Sequence, residues 1–100
     1  MNVEIDKDKY TAAMASNLSM LRAKLGLTQD ELCQLAGISR QTVVQAEKVG
    51  KLSWGTYLSL VLIFSKNKEA ADLMEFLGIY PKELDEYANK KELEHDGMEV

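Results

Sequence analysis

Residues 27–47, LTQDELCQLAGISRQTVVQAE, decide how the rest of this chain is read. Thr28 stands where a helix N-cap belongs, with Glu31 three residues on. That is the capping-box pattern, in which each side chain satisfies an amide at the helix start. Leu32, Leu35 and Ala36 follow as the expected buried face. Gly37 supplies the corner, Ile38 is placed to wedge between two helices, and Ser39 caps the second. Helix, turn of about three residues, helix is the spacing of the DNA-binding helix-turn-helix. Stepping ~100° per residue from Ser39 sorts the second helix into two faces. Arg40, Gln41, Val44, Gln45 and Lys48 share one side; Thr42, Val43, Ala46 and Glu47 share the other, with Val43 and Ala46 turned inward. Arg, two Gln, Lys and one bare Val form a candidate base-reading surface.

The chemistry of that surface fits base edges in the major groove. Arg40 carries the paired donors that match guanine O6 and N7. Gln41 and Gln45 match adenine N6 and N7, and Val44 matches a thymine methyl.

Outward from this stretch the chain continues to read as helix. Tyr10, Met14, Leu18, Leu21 and Leu25 make an apolar stripe on a first helix expected to start near Asp8 to Thr11 and to end at Gly26. Residues 1 to 7 are expected as a loose arm. After Gly50, Ser53 caps a fourth helix, Trp54 to about Ser65. It is apolar nearly all round, so it must be covered on more than one side, by the C-terminal helices or by a second subunit. A fifth helix is predicted over Glu69 to Leu77, amphipathic through Ala70, Leu73, Met74 and Leu77. Pro81 opens a sixth, Lys82 to about Glu94, with sparse apolar residues Leu84, Tyr87, Ala88 and Leu93. The last six or so residues are expected to be disordered. With one proline in 100 residues and little alternation of apolar with polar positions, the fold class is all-α.

Composition narrows the function classes. The chain is 46% hydrophobic and 28% charged, which argues against global disorder. Its start, MNVEIDKDKY, is polar where a signal peptide needs an apolar core, and no run approaches the ~20 apolar residues of a membrane span. One cysteine makes no internal disulfide, so a cytoplasmic location is expected. The net charge of −4 is divided unevenly: residues 17–66 carry +3, residues 67–100 carry −6 and the first sixteen −1. The positive part holds the reading helix, so the overall sign does not exclude DNA. Cys33 and His95 stand alone in separate segments, and the acidic residues of the C-terminal part have no calcium-loop spacing. With no phosphate-binding glycine loop and no nucleophile beside a histidine, the sequence predicts no catalysis, no metal and no cofactor.

The run NLSMLRAKLGLTQDELCQLAGISRQTVVQAEKVGKLS, residues 17–53, resembles the Cro/C1-type helix-turn-helix family of phage repressors and bacterial xenobiotic-response-element-type regulators. Leu21-Arg22, Gly26-Leu27-Thr28-Gln29, Glu31-Leu32, Ala36-Gly37-Ile38-Ser39 and Glu47 carry the likeness, which extends to about Ile79. It implies a five-helix, lambda-repressor-like bundle, to which the sequence adds a C-terminal helix from Tyr80 onward that the likeness does not cover. The expected organisation is residues 1–16 as arm and start of the first helix, 17–79 as DNA-binding domain and 80–100 as acidic helix and tail. The resemblance also implies roles. Gln29 touches phosphate and braces the recognition helix; Ser39, Arg40, Gln41 and Gln45 face bases; Lys48, Lys51 and the backbone around Leu52 and Ser53 hold phosphate. Arg22 and Glu47 match a buried salt bridge. With Thr28 and Val44 added, these give the candidate DNA-contact set Thr28, Gln29, Ser39, Arg40, Gln41, Val44, Gln45, Lys48 and Lys51. Two departures stand out. The loop after Glu47 reads Lys48-Val49-Gly50, one residue longer than the usual Asn-Gly, and Cys33 replaces a typical small residue.

The expected function is therefore a sequence-specific DNA-binding regulator, most simply a repressor. It acts on double-stranded DNA as a homodimer formed through Trp54–Phe64, the C-terminal helices, or both. Two alternatives share the scaffold: an antitoxin whose C-terminal segment binds a toxin, and a protein-interaction adaptor that reads no DNA.

Overall fold

Six helices and no strand make up the described residues, 4–96, of the computed structural model. They are α1 (Lys7–Lys24), α2 (Gln29–Ala36), α3 (Arg40–Val49), α4 (Trp54–Phe64), α5 (Lys68–Phe76) and α6 (Lys82–Asp96). Five form the bundle and the sixth is additional, as the sequence predicts.

Local chemistry starts each of the first five. The side chains of Asp6, Thr28, Ser39, Ser53 and Asn67 each accept a hydrogen bond from a backbone amide of the first turn that follows. Asp6 corrects the first boundary: it draws the start of α1 back to Lys7, ahead of the expected Asp8 to Thr11, and Lys7 is not part of an arm. Residues 1–3 of that arm, and 97–100 of the expected disordered tail, lie outside the described residues. Gly37 and Gly50 end α2 and α3 in the left-handed region, at φ 67° and 80°. Side-chain-bearing residues adopt that conformation at a cost, and glycine does not. The extra residue Val49 is absorbed as a last helical residue of α3.

Met14, Leu18 and Leu21 of α1, Leu32 and Cys33 of α2, and Val43 and Ala46 of α3 form the core with Tyr57, Leu60 and Phe64 of α4. Ala70 and Met74 of α5 and Ile79 close it. Leu35 departs from expectation: it is 60% exposed, and Cys33 takes the buried place instead. On an eight-residue helix whose inner face is centred between Leu32 and Cys33, Leu35 falls on the flank. Cys33 is a packed neutral thiol, its pKa pushed up first by burial and then by the nearby Asp30 carboxylate.

The chain after α5 is tied back to the bundle. The buried Tyr57 hydroxyl donates to the Ile79 carbonyl at 2.5 Å, and Pro81 is fully buried. The Tyr10 hydroxyl donates to the Glu83 carboxylate, which anchors the first turn of α6 to α1. Beyond that turn α6 is exposed as far as residue 90, apart from a half-buried Tyr87. Over these residues it does not cover α4. Helices α1 and α2 pack on α4, yet Leu58 and Leu62 remain 38% and 62% exposed.

Candidate nucleic-acid interface

The turn between α2 and α3 is built from both sides. At the start of α2 the capping box is complete: the Thr28 amide donates to Glu31 Oε1 at 2.8 Å, and the Glu31 amide donates to Thr28 Oγ1 at 3.1 Å. The Ile38 amide donates to the Cys33 carbonyl, closing the turn at Gly37. Ser39 Oγ then accepts from the Thr42 amide at 3.1 Å and pairs with the Thr42 hydroxyl at 2.8 Å. The hydroxyls of Thr28 and Ser39 thus serve first as helix caps.

Helix α3 is held from behind by one carboxylate. Arg22 donates to Glu47 through Nε at 3.0 Å and Nη2 at 3.3 Å, and its Nη1 donates to the Leu27 carbonyl at 2.9 Å. Gln29 Nε2 adds a further donor to Glu47, at 2.9 Å. The Arg22 and Glu47 side chains are 21% and 13% exposed, so the bridge is shielded from water on most sides. Every carboxylate oxygen and the fork of the guanidinium are occupied, the condition under which a desolvated pair holds a unique geometry. Gln29 thus ties the first turn of α2 to the last turn of α3.

The opposite side of α3 is open. Arg40, Gln41, Gln45 and Lys48 are exposed, while Val43 and Ala46 are locked in the core. Val44 is half-buried, so less of it faces outward than the helical wheel predicts. Lys51 is exposed in the α3–α4 loop, beside an open cleft it shares with Asp8, Thr11 and Ser53. The structure thus gathers Arg40, Gln41, Gln45 and Lys48 on one continuous helix face. Thr28 and Gln29 sit at the mouth of α2 and Lys51 in the following loop.

One contact was not expected. Asp30, in the first turn of α2, lies 3.5 Å from Arg40 Nε. Helical periodicity places residues around one axis and is silent on which side chains meet across a turn. The only sequence signal was an acid in α2 and a base opening α3.

Residues 18–48 match a protein-family model described as helix-turn-helix, covering the later part of α1, α2 and nearly all of α3. No curated protein and no solved structure matches the chain. No helix among the described residues is long and apolar enough to cross a membrane.

Proposed function

On the premise that residues 18–48 belong to the Cro/C1-type helix-turn-helix family of DNA-binding regulators, we propose that this chain is a sequence-specific repressor that reads the major groove with α3. One observation carries the reading. Glu47 is pinned by Arg22 and Gln29 on the inner side of α3, while Arg40, Gln41, Gln45 and Lys48 stand free of the core on the outer side. A rigid helix with base-edge chemistry turned outward is what groove recognition needs. In this reading Arg40, Gln41 and Gln45 face bases and Val44 a thymine methyl. Ser39 stands with them at the groove-entering end of α3, while Lys48, Lys51 and the polar groups of Thr28 and Gln29 meet phosphates, which set register without specifying sequence.

A single module makes few base contacts, so two copies reading half-sites about one helical turn apart are expected. The uncovered face of α4, Leu58 and Leu62, supports α4 as the surface where copies meet, with Phe76 at the end of α5, 85% exposed, as a further apolar group. The antitoxin reading draws on a different observation, the exposed acidic turns of α6. There a small basic protein would find Asp85 and Glu86 beside Leu84. Its test is co-purification with such a protein, and loss of that complex when residues 82–100 are removed.

Groove reading by two copies is tested by selecting bound duplexes from a random pool at moderate salt. The expected product is a pseudopalindrome. Recovery of no preferred sequence would contradict it.

A further inference from the structure

The basic residues near α3 fall into two kinds. Among the described residues Lys48 and Lys51 have no ion-pair partner within 4 Å, whereas Arg40 Nε lies 3.5 Å from Asp30 Oδ1, an ion pair rather than a hydrogen bond. The other acid of the α2 first turn, Glu31, is consumed by the capping box. The Asp30 and Arg40 side chains are 67% and 66% exposed, and an ion pair so exposed adds little to fold stability. Its consequence lies in orientation and in charge.

Resting on the reading that α3 enters the major groove, we propose that Asp30 is a specificity-determining positioning residue. Its carboxylate draws the Nε side of the Arg40 guanidinium towards α2, which favours the rotamers that leave Nη1 and Nη2 for a guanine in the groove. An unrestrained arginine samples many rotamers and meets phosphates as readily as bases; restraint at Nε removes part of that freedom before binding. With Asp30 on the Nε side, the guanidinium fork keeps two parallel donors for O6 and N7. The carboxylate also repels phosphate at that spot, which weakens sequence-independent contacts more than base contacts. Lys48 and Lys51, with no such partner, retain the adaptability that phosphate contacts require.

The test compares the full-length wild type with Asp30→Asn, Arg40→Gln and the double variant. Each binds the selected duplex, a scrambled duplex, and duplexes with single G·C pairs changed to A·T, at one fixed salt concentration. Thermal melts check that all four chains fold. The expected result is that Arg40→Gln abolishes the preference at one G·C pair. Asp30→Asn lowers the preference at that same pair about threefold, the scale of an exposed ion pair, and tightens binding to the scrambled duplex. In the Arg40→Gln background, Asp30→Asn changes no base preference. An unchanged G·C preference in Asp30→Asn overturns the proposal. So does a loss of preference that persists without Arg40, and so does an Arg40→Gln chain that still prefers the same bases. A wild type that prefers no duplex overturns the groove reading itself and this inference with it.

Discussion

Helices α3 and α4 are alike in construction and opposite in what they leave uncovered. Each starts on a serine whose hydroxyl accepts the amide three residues on. Each is about three turns long and buries one side in the same core. Outward, α3 shows Arg40, Gln41, Gln45 and Lys48, and α4 shows Leu58 and Leu62. Burial and capping are therefore the shared scaffold, and the outer face is where each helix is differentiated. A polar, basic face suits a hydrogen-bonding, anionic partner; an apolar one suits another apolar face. The way α3 is braced sharpens the contrast. Its last turn is anchored by a three-residue polar network, whereas α4 is held mainly by packing and by Tyr57.

Breaking the brace has the largest expected effect. Glu47→Ala leaves the Arg22 guanidinium poorly paired and mostly buried, and costs about 3 kcal/mol of stability. Thermal denaturation measures this as a drop of well over 10 °C in a domain of this size; an unchanged Tm would show that the network is dispensable. Next is Leu62→Glu on the outer face of α4, which places a charge where copies are proposed to meet. It is expected to weaken self-association by about 2 kcal/mol and to bring the light-scattering mass from near twice 11.2 kDa towards the monomer. The melting temperature of the monomer stays close to wild type. Gln45→Ala is the mirror-image experiment on α3. Stability stays within about 0.5 kcal/mol, while affinity for the selected duplex falls by about 1–2 kcal/mol, as read by titration.

The smallest effect concerns the anchor of α6. Hydrogen bonding to Glu83, with burial second, pushes the Tyr10 hydroxyl up to about 12, and the same bond lowers the Glu83 carboxyl. A tyrosine whose folded pKa exceeds its unfolded value of 10.0 contributes stability that is complete below pH 10 and lost as pH rises towards 12. The lowered Glu83 contributes above the ordinary carboxylate range and is lost as pH falls through its folded pKa. Tyr10→Phe is expected to reduce stability by about 1 kcal/mol and to flatten both edges of the stability-against-pH profile. The alkaline edge flattens only in part, because burial also raises Tyr57.

The contrast between helices also marks what a sequence discloses. The caps at Thr28, Ser39 and Ser53 and the left-handed glycines Gly37 and Gly50 are legible because each acts within four residues of itself. The outward set Arg40, Gln41, Gln45 and Lys48 is legible because helical periodicity is local as well. The Arg22–Glu47 pair, 25 residues apart, is legible only through the family resemblance. Leu35 lies off the buried face the sequence suggests because a two-turn helix gives its apolar residues no fixed stripe, and the neighbours decide in favour of Cys33. The Asp30–Arg40 contact and the Tyr10–Glu83 anchor, the latter spanning 73 residues, arise where separate helices meet, and no periodicity reports that.

The most direct test of α3 as a reading helix is the affinity of the wild-type chain for its selected duplex and for a scrambled duplex of equal length, across a salt series. A preference on the order of a thousandfold is expected at physiological salt, with binding to both duplexes that weakens steeply as salt rises. Equal affinity for the two duplexes, or affinity indifferent to salt, would contradict it.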